Sequence, residues 1–368
     1  MKRAAWLVAL ALLGLTTGAS AAPQVDADGT LRSQSLVIPP SSLMSPQARA
    51  ALALHFHEKP PPSSTPDSSI EAVRAYANAY HKPVADRWLV RYPAEIEAQT
   101  MGGVAVRVIT PHNGVAPGNE RRVLINLHGG GFDRGFPYTA LAEAIPVAGV
   151  GRVQVVTVDY RMGPEHRFPA ANEDVANVYR ELLKTHTPQQ IGIFGCSAGG
   201  GLTGQAVAWF QQHDLPPPGA IGIFCSGLMP GVAYGGDSTA LAGVVNTDGP
   251  AAPAVSASAA SASSAAPPPV RRPGYFDGVD WKDPLLSPAL SPAVLARFPP
   301  TLMITGTRDF AMSNALATNA RLLQAGVETQ LLVLEGLGHE QYILFTETPE
   351  ASLAQATIWK FFDRHLAR

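Results

Sequence analysis

Ile191-Gly192-Ile193-Phe194-Gly195-Cys196-Ser197-Ala198-Gly199-Gly200-Gly201-Leu202 is the stretch that decides how this chain folds. A short apolar run ends in glycine, a serine follows two places on, and small residues then open a helical pattern that runs to Gln212. Its centre, Gly195-Cys196-Ser197-Ala198-Gly199, has the form G-x-S-x-G. Between a strand and a helix, such a run makes a sharp turn that drives its middle residue into sparsely allowed backbone space. Glycines on either side remove Cβ atoms that would clash. Ser197 is then exposed at a helix N-terminus, where developing negative charge is favoured. Ser197 is the candidate nucleophile. Cys196 sits beside the centre of the turn and is not.

Working outward, strands and helices alternate. Residues 95–101 and 104–110 read as two strands joined by Gly102-Gly103, a hairpin signal. Short apolar or β-branched runs follow at 123–126, 153–158, 191–194, 220–224, 302–304 and 330–334. Helical patterns lie between and after them at 138–147, 170–184, 198–212, 312–325 and 353–366. This alternation predicts an α/β fold, a mostly parallel sheet with helices on both faces.

Three other segments differ. Residues 1–21 read as a signal peptide: Lys2 and Arg3, an apolar run from Ala4 to Leu15, then Ala19-Ser20-Ala21. This predicts export to the periplasm or the medium. Residues 22–90 form an N-terminal arm and cap, with helices expected at 43–57 and 70–81, and 91–368 form the catalytic domain. Inside it, 234–273 is rich first in Gly, then in Ala and Ser, then in Pro, and is expected to be a disordered insertion.

Composition removes several classes of function. Of 368 residues, 46% are hydrophobic and 15% charged, enough apolar material for one large core. The net charge of -2 comes without a basic patch, so nucleic acid is not an expected partner. No second segment is long and apolar enough to span a membrane once the signal is removed. Two cysteines, Cys196 and Cys225, cannot make a disulfide scaffold, although both follow predicted strands and a single bridge stays open. His55-Phe56-His57 is an i, i+2 pair that diverges on a helix. Neither glycine cluster carries the lysine or the spacing of a nucleotide motif. No metal or cofactor is expected, and the oligomeric state is not readable.

A serine hydroxyl needs a base, and the base needs an orienting carboxylate. With Ser197 first, an acid and then a histidine must follow. Asp309 comes after the 302–304 strand through Gly306-Thr307-Arg308, and His339 follows the last strand within Gly336-Leu337-Gly338-His339. Asp283 and Glu340 are the rival acids and His365 a poorer base. Upstream, His128-Gly129-Gly130-Gly131-Phe132 follows an early strand, where glycines can turn backbone N–H groups toward a ligand. The N–H groups of Gly129, Gly130 and Ala198 are the expected oxyanion donors.

Taken in order, these motifs resemble the hormone-sensitive lipase-like (bacterial class IV) esterases. The match rests on the His128–Phe132 run, on Asp159-Tyr160-Arg161-Met162-Gly163-Pro164-Glu165-His166-Arg167-Phe168-Pro169-Ala170-Ala171, and on the Ser197 turn. Asp283-Pro284-Leu285-Leu286-Ser287-Pro288, the 299–306 segment, Asp309 and His339 complete it. The resemblance implies the α/β-hydrolase fold, with an eight-stranded sheet and an N-terminal helical cap. It implies a serine carboxylesterase acting without a cofactor on short to medium acyl esters. A lactonase or a deacetylase of acylated sugars or other small molecules uses the same residues. His128 is then a structural member of its loop. Cys196 departs from the Asp or Thr more common at that place, which leaves the subfamily open.

Overall fold

The computed structural model describes residues 24–25, 31–32, 38–57, 69–231, 236–238 and 274–368. The expected signal peptide and nearly all of the expected insertion lie outside these. The chain divides into two units, Met1–Pro39 and Pro40–Arg368. Within the first, Gln24–Val25 pairs antiparallel with Leu31–Arg32.

The second unit is built on an eight-stranded sheet. Its strands are β1 (Ala94–Met101), β2 (Val104–Pro111), β3 (Val123–Leu127), β4 (Gln154–Val158), β5 (Ile191–Cys196), β6 (Ala220–Phe224), β7 (Thr301–Gly306) and β8 (Thr329–Leu334). Their spatial order is β8-β7-β6-β5-β3-β4-β2-β1. Only β2 runs against its neighbours, β1 and β4; every other pair is parallel. β1 and β2 meet through Gly102 and Gly103, both at positive φ, as a two-residue hairpin turn demands. β3, β5 and β6 are buried at every residue, which accounts for their continuous apolar sequences.

Helices cover both faces. α1 (Pro46–His57), α2 (Ile70–Arg91), α3 (Tyr138–Gly151) and α7 (Pro349–His365) share one core, which includes Leu52, Trp88, Ile145 and Phe362. α4 (Ala170–Leu182), α5 (Ala198–Gln212) and α6 (Met312–Gln324) share the other, which includes Tyr179, Phe210 and Leu322.

α3 runs on to Gly151, past the expected 147, and two further departures from the sequence reading have a visible cause. α2 does not stop near 81 but carries Pro83 inside it and runs ten residues further, to Arg91. An interior proline costs a helix roughly 3 kcal/mol. Burial of Val84, Ala85 and Trp88 offsets that cost, and the Trp88 indole N–H donates to the Ile343 carbonyl at 2.9 Å. α7 starts at Pro349, earlier than 353, because the Thr348 hydroxyl caps it by accepting from the Ala351 N–H at 3.1 Å.

Candidate active site

Ser197 stands between β5 and α5 with φ 57° and ψ −120°. Holding a non-glycine residue there costs on the order of 1–3 kcal/mol. The surroundings enforce it: the Ser197 N–H donates to the Phe224 carbonyl at 2.8 Å, and the Gly201 N–H donates to the Ser197 carbonyl at 3.1 Å. A Cβ on Gly195 would lie 2.1 Å from the Leu127 carbonyl oxygen, and one on Gly199 only 1.7 Å from it. The turn therefore closes against the end of β3 only with glycine at both places. Cys196 points into the core. It is a free thiol, as is Cys225, so the bridge left open by the sequence is not made. The two thiols contact each other, and burial pushes that of Cys196 up.

The expected acid and base meet at the carboxyl ends of neighbouring strands. Asp309 follows β7, and its Oδ1 lies 2.9 Å from His339 Nδ1. Oδ1 also accepts from the Ala311 N–H at 2.8 Å, and Oδ2 accepts from the Thr305 hydroxyl at 3.0 Å. Both residues are buried, and the Phe310 ring stacks on the imidazole with centroids 4.2 Å apart. A carboxylate beside Nδ1 fixes the proton there, so Nε2 is the ring nitrogen with a lone pair. Cys225 lies beside this pair. Its sulfur, an Asp309 oxygen and a His339 nitrogen fall within 4.8 Å of one another. Because Cys225 also touches Cys196, the elbow and the acid–base pair share one wall.

The rivals are engaged elsewhere. Asp283 accepts from the Leu285 N–H at 2.8 Å within its own turn. Glu340 lies 3.3 Å from His81 Nε2, and His365 lies 3.6 Å from Glu328. His55 packs edge-on against Phe345, with centroids 5.8 Å apart.

The glycine loop after β3 rests on the elbow. A Cβ on Gly129 would meet the Cys196 carbonyl at 3.2 Å and Ser197 Cβ at 3.4 Å. Gly130 has φ 115°, and a Cβ there would lie 2.2 Å from the Arg134 carbonyl oxygen, so only glycine fits. His128 is fully buried, stacks on Tyr160 at 4.4 Å and places Nδ1 2.7 Å from the Gly129 carbonyl. Burial pushes its pKa down to about 4, which leaves a neutral ring donating from Nδ1 and suits a structural role. From outside, α2 holds the same loop. Arg74 donates to the carbonyls of Asp133 (2.8 Å) and Gly163 (3.0 Å) and pairs with both oxygens of Glu165 (2.7 and 2.8 Å).

One residue at the site escaped the sequence reading. Glu143, on α3, is 3% exposed and lies behind the loop. Its Oε1 accepts the Gly129 N–H at 2.7 Å, and its Oε2 faces Asn126 Nδ2 at 3.0 Å and the Cys196 N–H at 3.3 Å. Of the three N–H groups expected to face an oxyanion, that of Gly129 is thus turned inward and committed to Glu143. The next two in the loop, those of Gly130 and Gly131, have no acceptor among the described residues. Ala198 N–H, first in α5, has no carbonyl within its helix. Burial pushes the Glu143 carboxyl up to about 8, against the pull of its three N–H donors. The signal in the sequence was present: Glu143 is the only charged residue in α3, otherwise apolar or small.

Comparison with known proteins places this geometry. A family profile described as alpha/beta hydrolase fold matches residues 124–343, and the chain belongs to that family. A solved structure titled an esterase E25 superposes with a TM-score of 0.73 at 28% identity, covering 92% of this chain and 99% of that one. Another, titled an esterase from the bacterial hormone-sensitive lipase family, superposes at 0.69 and 24% identity, covering 87% and 98%. An esterase of Acinetobacter venetianus is 27% identical over 249 residues, 67% of this chain and 76% of its own length. An acetyl-hydrolase of Streptomyces hygroscopicus is 29% identical over 210 residues, 56% of this chain and 64% of its own length. The match to a putative acetyl-hydrolase LipR of Mycobacterium tuberculosis is shorter, 31% over 127 residues, 34% of this chain and 40% of that protein. Fold, elbow and relatives together are those of a carboxylic ester hydrolase. Among the described residues no helix is long and apolar enough to cross a membrane.

Proposed function

We propose that the chain is a serine carboxylesterase that cleaves short acyl esters of small molecules through an acyl-enzyme, with Ser197, His339 and Asp309 as its triad. The observation that carries this reading is the buried Asp309–His339 pair, 2.9 Å apart, at the same edge of the sheet as a serine held at φ 57°. His339 Nε2 takes the Ser197 proton as Oγ attacks the ester carbonyl. The amides of Gly130, Gly131 and Ala198 receive the oxyanion. Gly129, whose N–H is given to Glu143, sets the loop and does not bind the oxyanion itself. The imidazolium then protonates the leaving alcohol, and water attacks the acyl-enzyme with His339 again as base. Asp309 holds the tautomer and balances the imidazolium charge. The preference for short acyl groups draws on the acetyl-hydrolase relatives. The apolar run and the Ala19-Ser20-Ala21 site support export.

The test is turnover of a p-nitrophenyl ester series from acetate to decanoate, with fluorophosphonate labelling. Wild type turns over the short members and labels. Ser197→Ala does neither. A Ser197→Ala protein that kept activity or label would remove the nucleophile from the scheme.

A further inference from the structure

Glu143 takes no part in the triad chemistry, yet its carboxylate touches both loops that meet at Ser197. It bonds the Gly129 N–H at 2.7 Å and the Cys196 N–H at 3.3 Å. Gly129 directly precedes Gly130, and Cys196 directly precedes Ser197. One rigid group therefore fixes a peptide plane in each of the two segments that carry the oxyanion amides. The group is itself fixed. Asn126 Nδ2 donates to it at 3.0 Å, and the Asn126 side-chain oxygen Oδ1 accepts from the Thr157 hydroxyl at 2.7 Å. No Lys, Arg or His pairs with Glu143 among the described residues. A buried carboxylate without a cation is costly unless N–H dipoles satisfy it. Here two of the three satisfying dipoles belong to the segments that meet at Ser197. A residue serving only the stability of α3 would have no reason to spend both oxygens on them.

We propose that Glu143 is a positioning residue for transition-state stabilisation: it sets the spacing between the glycine loop and the nucleophile elbow, and so the aim of the Gly130 and Ala198 amides. The proposal rests on the esterase reading above. It does not place Glu143 in contact with substrate. Its effect must appear in the oxyanion, not in ground-state binding.

Glu143→Gln is a near-isosteric probe. Every neighbour named above presents an N–H to the carboxyl group, so the new amide NH2 faces a donor whichever way it is turned. If its carbonyl stays on Gly129, the amide confronts Cys196 N–H and the two loops part. Losing one oxyanion donor outright costs about 10²–10³ in kcat, so misaiming them is expected to cost about 30-fold. At pH 9, above the raised pKa of Glu143 and so with its carboxylate ionised, the variant is expected to lower kcat on p-nitrophenyl acetate by that factor with KM changed less than threefold. A trifluoromethyl ketone, which forms a tetrahedral oxyanion on the serine, should lose affinity by the same factor as kcat/KM. If Glu143→Gln does not fold, by circular dichroism and thermal melting, Glu143→Asp replaces it. Aspartate keeps the charge but is one methylene too short to reach both loops, and an intermediate loss is expected. A folded variant whose kcat and ketone affinity both stay within threefold of wild type overturns the proposal. So does one that changes KM alone. Ser197→Ala, assayed alongside, separates the outcomes: if it is inactive while Glu143→Gln is unimpaired, only the role of Glu143 fails.

Discussion

Replacing Asp309 with asparagine tests the acid–base pair with a magnitude the structure supplies. Two donors converge on Oδ1, the Ala311 N–H at 2.8 Å and His339 Nδ1 at 2.9 Å, while the Thr305 hydroxyl meets Oδ2 at 3.0 Å. A backbone N–H cannot reverse its role. The asparagine must therefore place its carbonyl oxygen at Oδ1 and its NH2 beside Thr305, whose hydroxyl can turn to accept. The bond to His339 survives with a neutral acceptor, and the tautomer is kept. Hydrogen bonds to charged groups contribute about 1.5–3 kcal/mol and neutral ones about 0.5–1.5 kcal/mol. Adding the lost support for the imidazolium gives roughly 1.5–3 kcal/mol on the barrier, about a ten- to hundredfold drop in kcat. Were the asparagine turned the other way, the tautomer would flip and the loss would be nearer 10⁴. Steady-state kinetics on p-nitrophenyl acetate for Asp309→Asn and Asp309→Ala decide the matter. Asp309→Ala should lose clearly more than Asp309→Asn. Wild-type rates in Asp309→Ala would show that the acid lies elsewhere, and a 10⁴ loss in Asp309→Asn would show that Ala311 does not hold the amide as argued.

Gly199→Ala brings a Cβ to 1.7 Å from the Leu127 carbonyl oxygen, so soluble protein, if recovered, should show less than about 1% of wild-type kcat; near-normal rates would mean the elbow is looser than described. Glu143 links stability to pH. Its folded pKa, about 8, lies above the ordinary carboxyl value of 4.5, so the stability linked to its protonation is complete below pH 4.5 and is lost as pH rises through 8. Urea midpoints of wild type measured against Glu143→Gln should therefore drift downward between those pH values, with a ceiling of roughly 5 kcal/mol, and a pH-independent difference would contradict the burial argument. Arg74→Ala removes two carbonyl bonds and a half-exposed ion pair, and a loss of about 1–2 kcal/mol in urea unfolding is expected. Cys196 and Cys225, buried and unbridged, should react with a thiol reagent only on unfolding; rapid modification of the native protein would show that the wall beside the triad opens.

Much of the candidate site can be read from residues close together in the chain. The elbow is a local device: strand, glycine, serine, glycine and helix follow within some twenty residues, and steric rules determine their shape. Asp309 and His339 were legible because the fold delivers chain order to spatial order, each residue following the carboxyl end of its own strand. Glu143 was hidden for the opposite reason. It lies on a helix whose partner loops are 14 and 53 residues away in sequence, and nothing in its surroundings announces which amides it will meet. The commitment of the Gly129 amide was hidden with it, because a run of three glycines does not say which N–H turns inward. The length of α2 is not legible locally: Pro83 is a local stop signal, while the burial of Trp88 that overrides it is a tertiary fact.

The close approach of α5 to the end of β3 also sets terms for anyone wishing to redesign this enzyme. Gly195 and Gly199 face the Leu127 carbonyl, and a Cβ on Gly200 would come within 2.7 Å of that of Phe224. Random mutagenesis spread evenly over the motif would therefore be wasted on backbone-to-backbone seams that accept no side chain. Phe132, Phe276 and Phe310, joined to one another or to His339 by ring contacts and not by main-chain bonds, can be exchanged for smaller groups without touching those seams. A library confined to these three aromatic positions would vary the ring packing beside the glycine loop and His339 while leaving the backbone seams as they stand.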